Sequence, residues 1–137
     1  MDLQLHQREK EGIRILDLHG HLIEGPSEAI LRNAIAALVE AKVVNVILNF
    51  AGVADIDADG LGTLVFCHAR IVTSGGALKL LHLSPLHINL MVLTKLYTVF
   101  EIFTNEQDAV DSFFPDRAAR HFDVLAFVEE QKRPPSP

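Results

Sequence analysis

Residues 43–50 read Val-Val-Asn-Val-Ile-Leu-Asn-Phe, an apolar, β-branched run with almost no alternation of polar and apolar positions. A strand with one face in water alternates, whereas a strand covered on both faces does not. This run therefore demands packing layers above and below it, and its flanks can supply them. Ile30, Leu31, Ala34, Ile35, Leu38 and Val39 recur at helical spacing behind the start signal Gly25-Pro26-Ser27-Glu28, predicting a helix to about Ala41. Beyond the run, Leu61, Leu64, Val65, His68, Ala69 and Val72 predict a second helix from Asp59, stopped by Ser74-Gly75-Gly76. Ala77–Leu81 reads as another short buried strand. Ser84-Pro85 opens a third helix through Leu86, Leu90 and Leu93, since proline suits a first turn. Val99–Phe103 is a last strand, and Asn105–Asp108 caps a fourth helix ending near Phe114.

Upstream, Leu3 and Leu5 alternate with polar neighbours, and Ile13, Ile15 and Leu18 mark a second strand ending at Gly20. The polar turn Glu9–Gly12 between them predicts a hairpin. The order β-β-α-β-α-β-α-β-α predicts an α/β fold: a mixed, mostly parallel sheet of about five strands with four helices and right-handed crossovers. At 137 residues the chain is long enough for one domain with a real core. Residues 1–114 are expected to form it. Residues 115–137 form a C-terminal extension with one more amphipathic helix, its stripe at Phe122, Leu125 and Val128. That stripe packs either on the domain or on a second copy in a homodimer. Lys132–Pro137 is expected to be disordered.

Composition excludes several function classes. The net charge is −6, and residues 44–114 hold three Lys and Arg against seven Asp and Glu. No region is basic enough for a nucleic-acid binder or a polybasic membrane anchor. The single cysteine, Cys67, rules out an internal disulfide and a multi-thiolate zinc site, and within Leu64-Val65-Phe66-Cys67 it reads as buried and inert. No positive segment followed by an apolar one opens the chain, and no apolar stretch is long enough to span a bilayer, so a soluble cytoplasmic protein is expected. None of the serines Ser27, Ser74, Ser84, Ser112 and Ser136 sits in Gly-x-Ser-x-Gly, and no acid–base pair stands out, so no enzyme is expected.

The densest polar feature is Asp55-Ile56-Asp57-Ala58-Asp59-Gly60-Leu61-Gly62, within a segment Gly52–Gly60 that reads as a loop between strand and helix. Carboxylates there suit a hard cation, but the spacing does not continue into a calcium-binding loop. A phosphate cradle would use the helix-start amides, but three carboxylates repel phosphate and no lysine follows the glycines. Two readings remain: Asp59 as N-cap with Asp57 bracing the loop, and a protein-docking surface. His19 and His21, two apart on a strand end, with His82 and His87 further on, supply no acid at fixed spacing; ordinary surface or edge histidines are the plainer reading, and no metal or other cofactor is expected. The third helix is apolar nearly all round, from core packing or from a partner surface.

The stretch from Val46 to Leu64 resembles the signature of STAS domains, best that of bacterial anti-sigma factor antagonists: a buried strand, a loop, then Asp-Ser-Ser/Thr-Gly-Leu-Gly at a helix start. Leu18-His19-Gly20, Ser74–Leu78 and Val99–Val110 agree with it, and the resemblance covers roughly residues 3–114. It implies a non-catalytic module that binds an anti-sigma factor or a related kinase-type ATPase. It also implies a switch, in which that partner phosphorylates the first serine of the motif and so ends the binding, a phosphate adding about −1.5 to −2 charge. The docking surface implied here is Asp57, Ala58, Asp59, Gly60, Leu61, Gly62 and Thr63.

The chain departs from that pattern where the switch lies. The phosphoacceptor position is Ala58, which has no hydroxyl, and the following Ser/Thr is Asp59. The family's acidic residue three positions after the strand-ending glycine is here Ile23. The phospho-switch is therefore expected to be absent. Ala58 then makes a permanently unmodified antagonist, or Asp59 supplies a fixed charge imitating the modified state; the first is favoured. The alternative from another class is a STAS sensor that binds a small ligand or nucleotide with the same loop.

Overall fold

The computed structural model describes residues 3–132; the proline-rich end expected to be disordered lies, from 133 on, outside them. Five strands form one sheet in the order β1 (Gln4–Lys10), β2 (Ile13–Leu22), β3 (Asn45–Ile56), β4 (Ala77–Leu81), β5 (Ile102–Phe103). β1 and β2 are antiparallel and every other pair is parallel. The hairpin turns on Glu11 and Gly12, both at positive φ (53° and 84°), the type I′ arrangement whose twist suits adjacent strands. The helices are α1 (Pro26–Glu40), α2 (Ala58–Thr73), α3 (Pro85–Leu93), α4 (Glu106–Asp111) and α5 (Val124–Lys132). Among the described residues no helix is long and apolar enough to cross a membrane.

Strand order equals chain order. Right-handed crossovers that always step the same way put their helices on one side, and the core has that shape. Leu16, Leu18, Val46, Leu48, Phe50 and Leu80 meet Leu31 and Ile35 of α1, Leu64, Cys67 and Ile71 of α2, and Ile88 and Met91 of α3. The residues between them, Ile13, Ile15 and Ile47, point the other way, where with Leu81 and Phe103 they pack under Ala109 and Val110 of α4. That is the double coverage the unbroken run requires.

One short helix cannot cover a whole sheet face, and ion pairing holds the remainder. Arg8 of β1 donates to Asp17 of β2 (2.8 and 3.2 Å) and to Glu106 at the start of α4, while Asn49 of β3 donates to Asp17 at 2.8 Å. At the far end of α4, the buried Lys79 ammonium donates to the Ser112 hydroxyl (2.8 Å) and lies 4.3 Å from the centre of the Phe113 ring.

Several element limits differ from the sequence expectation. β5 is two residues, not five, and α4 ends at Asp111. Segment 52–56 is strand rather than loop, because β2 runs on to Leu22 and keeps pairing with it through two register shifts. In the tail the buried stripe is Val124 and Val128, one helical turn apart, on the domain's own core; Leu125 stays 54% exposed.

Arg8 is the first cause of the lowered pKa of both Asp17 and Glu106. Carboxylates held low stabilise the fold above their ordinary range, and that contribution is lost as pH falls through the folded values. Arg8→Met should therefore cost about 1–2 kcal/mol near neutrality and progressively less as pH falls below the ordinary carboxylate range, read by urea unfolding across that pH series.

Candidate functional site

Every residue of the motif is positioned by the end of β3. Asp57 is the last extended residue (φ −102°, ψ −175°), and its side chain is the N-cap of α2. Its Oδ1 accepts from the Gly60 amide at 2.8 Å, and its Oδ2 accepts from the Glu24 amide at 3.0 Å. Its own amide donates to the Leu22 carbonyl. The carboxylate thereby ties the turn after β2 to the start of α2, and the Glu24 amide, then that of Gly60, holds its pKa below the usual carboxylate range. The sequence offered Asp59 as the cap; it lies inside the first turn, where its negative charge faces the positive end of the helix dipole.

Gly60 is there because nothing larger fits: a Cβ would stand 2.1 Å from the Leu22 carbonyl oxygen. Leu61 and Thr63 are also buried, and the Thr63 hydroxyl donates to Glu28 Oε1 at 3.2 Å, while the other oxygen of Glu28 caps the Gly25 amide. Three of the seven candidate residues thus face inward. Ala58, Asp59 and Gly62 are exposed and Asp57 is half-buried. The same side of α2 continues through Val65 and Phe66, 38% and 43% exposed, with the Arg32 guanidinium 4.8 Å from the Phe66 ring centre. Sequence reasoning put Val65 and Val72 on the core face. Their signal was an excess: the helix carries more apolar residues than one buried stripe uses.

The aspartates do not converge on one point. Asp55 accepts from or donates to nothing in the loop; its carboxylate meets His21 Nδ1 at 2.6 Å. His19 stands beside Gly52, and His82 follows β4 at positive φ. His87, in the first turn of α3, is buried near Asp55. Among the described residues no group of three His, Cys, Asp or Glu side chains is arranged to hold a metal ion. Ile23, where the family pattern has an acid, is half-buried, its amide and carbonyl both bonded to the Ser27 hydroxyl (3.1 and 2.6 Å). Cys67 is fully buried and its thiol is pushed up to about 12 by desolvation, so it stays protonated and inert.

Comparison with known proteins agrees with this architecture. A family model described as "STAS domain" matches residues 4–109. An anti-sigma F factor antagonist of Paenibacillus polymyxa is 23% identical over 110 residues, covering 80% of this chain and 94% of that protein. The crystal structure of an anti-sigma factor antagonist from Mycobacterium paratuberculosis superposes with a TM-score of 0.70 at 18% identity, over 82% of this chain and 94% of that one. The Bacillus cell-fate determinant SpoIIAA in its phosphorylated form gives a TM-score of 0.61 at 21% identity, over 80% and 97% of the two chains.

Two glycines two residues apart should respond in opposite senses. Gly60→Ala meets backbone and should destabilise by about 2–3 kcal/mol. Gly62→Ala finds no atom within 4 Å of its new Cβ and should stabilise α2 by about 0.5–1 kcal/mol. Urea unfolding of the two variants beside the parent checks both.

Proposed function

The chain belongs to the STAS domain family, and on that premise we propose that it works by docking onto an anti-sigma factor or a related kinase-type ATPase. It resembles the anti-sigma factor antagonists in sequence and fold, and such a module has no need of catalysis. The observation that carries the reading is the exposed side of α2. Ala58, Gly62, Val65 and Phe66 follow one another at helical spacing, behind a helix start already held rigid by Asp57. A preformed, partly apolar helix face loses little entropy when a partner covers it. Gly60, Leu61 and Thr63 contribute from beneath, by setting the position of that face. The docking unit is residues 1–114, with 115–137 as an extension.

A nucleotide suits this helix start less well. The Gly60 amide is already taken by Asp57, and Asp57 and Asp59 repel phosphate. The sheet order never reverses, so it has no switch-point crevice of the kind in which open α/β sheets hold nucleotides.

In this reading Ala58 removes the phosphoacceptor from the centre of the docking face. Asp59 does not replace it, since consecutive helical residues point about 100° apart. The chain is therefore an antagonist fixed in its binding state. Two measurements test this with a purified kinase-type anti-sigma factor. Incubation with ATP should leave the chain unphosphorylated and the complex intact, and phosphate found within Asp57–Gly60 would refute the lost switch. Ala58→Glu puts a charge on the face and should weaken binding at least about tenfold; unchanged affinity would move the docking surface elsewhere.

A further inference from the structure

The exposed side of α2 changes its charge along its length. At its start stand Asp57 and Asp59, and in its last turn stands Arg70. Opposite the middle of the helix, α1 contributes Arg32, whose guanidinium lies 4.8 Å from the centre of the Phe66 ring. Between the two helices runs a groove of about 310 Å3, lined by Val39 of α1 and by Phe66, Ala69, Arg70, Thr73 and Ser74 toward the far end of α2. No carboxylate lines it. Arg32 and Arg70 are themselves exposed, and among the described residues neither guanidinium meets a carboxylate. Elsewhere Arg8, Lys79 and Arg117 each do. Burial raises the pKa of the Cys67 thiol, and the charges that pull it back are Arg32 and Arg70, so both act on one stretch of α2. In a chain of net charge −6 this is a local surplus of positive charge beside an open apolar groove.

We propose that the docking face continues into this groove, where its occupant is an acidic segment of the protein partner. That segment seats a large apolar side chain against Val39 and Phe66 and sets carboxylates on Arg32 and Arg70. The inference rests on the docking reading of α2 and adds the chemistry of what docks. Charge selects the occupant. A guanidinium laid over an aromatic ring is held in place yet keeps its N–H donors for a planar acceptor, which a carboxylate supplies. Phe66 and Arg70 are one helical turn apart, so a side chain seated beside them meets an apolar wall and a charged margin, the ordinary anatomy of a protein interface. Asp59 and Arg70 lie about 16 Å apart along the helix axis, so the face is negative at one end and positive at the other. A partner with the complementary order of charges fits in one direction only. An anionic lipid surface carries one sign of charge and would meet Asp57 and Asp59 on the same face.

The full chain, labelled with 15N, is titrated with a helical peptide of leucine and glutamate and with its counterpart in which lysine replaces every glutamate. The acidic peptide should shift the amides of Arg32, Phe66, Arg70 and Ser74 saturably below about 1 mM, and the basic one should bind at least about tenfold more weakly. Arg32→Glu and Arg70→Glu, at exposed positions, should each weaken the acidic peptide about tenfold. Arg120→Glu makes the same charge change beside Asp108 of α4, on the opposite face of the sheet, and should leave binding unchanged. No saturable shift, equal binding of the two peptides, or undiminished binding by the folded Arg32 and Arg70 variants would each overturn the proposal. So would the same shifts appearing as the chain alone is concentrated, which would make the occupant a second copy, or tighter binding to phosphatidylglycerol vesicles than to the peptide.

A purified kinase-type anti-sigma factor separates this inference from the docking reading. Arg32→Glu and Arg70→Glu should each weaken that complex at least about tenfold, mostly in association rate and more at low salt. Parent-like binding by both variants would leave the docking reading standing and sink the acidic occupant. A groove that takes the acidic peptide in a chain that does not bind the anti-sigma factor would refute the docking reading alone.

Discussion

The corner at the start of α2 is organised around one carboxylate. Asp57 accepts from two amides that belong to different crossovers, Glu24 after β2 and Gly60 in α2. The bond from the Thr63 hydroxyl to Glu28 ties the same two segments a turn further on. The turn 23–25 is not helical, and the α2 backbone there approaches Leu22 so closely that only glycine fits. A single acceptor with two oxygens thus converts two chain ends into one rigid corner, and the face of α2 is presented from it. The neighbouring Ser27 and Glu28 repeat the logic for α1, closing the backbone groups of Ile23 and Gly25.

The sheet imposes the complementary constraint. Because the strands never reverse order, α1, α2 and α3 share one face, and among the described residues the opposite face has α4 alone as a helix, six residues long. An apolar face of that width would remain wet. The strands meet this by changing character along their length: Ile13, Ile15 and Ile47 sit where α4 covers them, and Arg8, Asp17 and Asn49 sit beside them, bonded to one another. Glu106 joins the two regions, so the ion pairs that solvate the open part also anchor the helix covering the closed part.

Much of this was legible in the chain, because hydrophobic period and start–stop signals are local. The strand under Val46–Phe50, the Pro26 and Pro85 helix starts, the Asn105 cap and the parallel sheet all follow from patterns a few residues long. What was not legible depends on distant partners. Gly52–Ile56 contains Gly52 and Asp55 and reads as loop; it is strand because β2 continues alongside it. Three aspartates at alternate positions are equivalent caps on paper. Only Asp57 keeps an extended backbone immediately before the helix, and that is decided by where β3 ends. The exposure of Val65, Phe66 and Leu86 was equally hidden, since a stripe count does not say which apolar residues the neighbouring helices reach.

The division of labour at residues 57–60 bears on why the residue at position 58 is free to vary. Capping, close approach and charge at the helix start are carried by Asp57, Gly60 and Asp59 in turn. Ala58 is exposed and its side chain makes none of these contacts. A hydroxyl there would contribute nothing to the fold, and its removal leaves the corner intact. Alanine also has the highest helix propensity of any residue and suits a first turn at least as well as serine. The fold therefore places no constraint on whether this position can be modified. On the docking reading proposed above, its identity answers only to what meets the exposed face of α2.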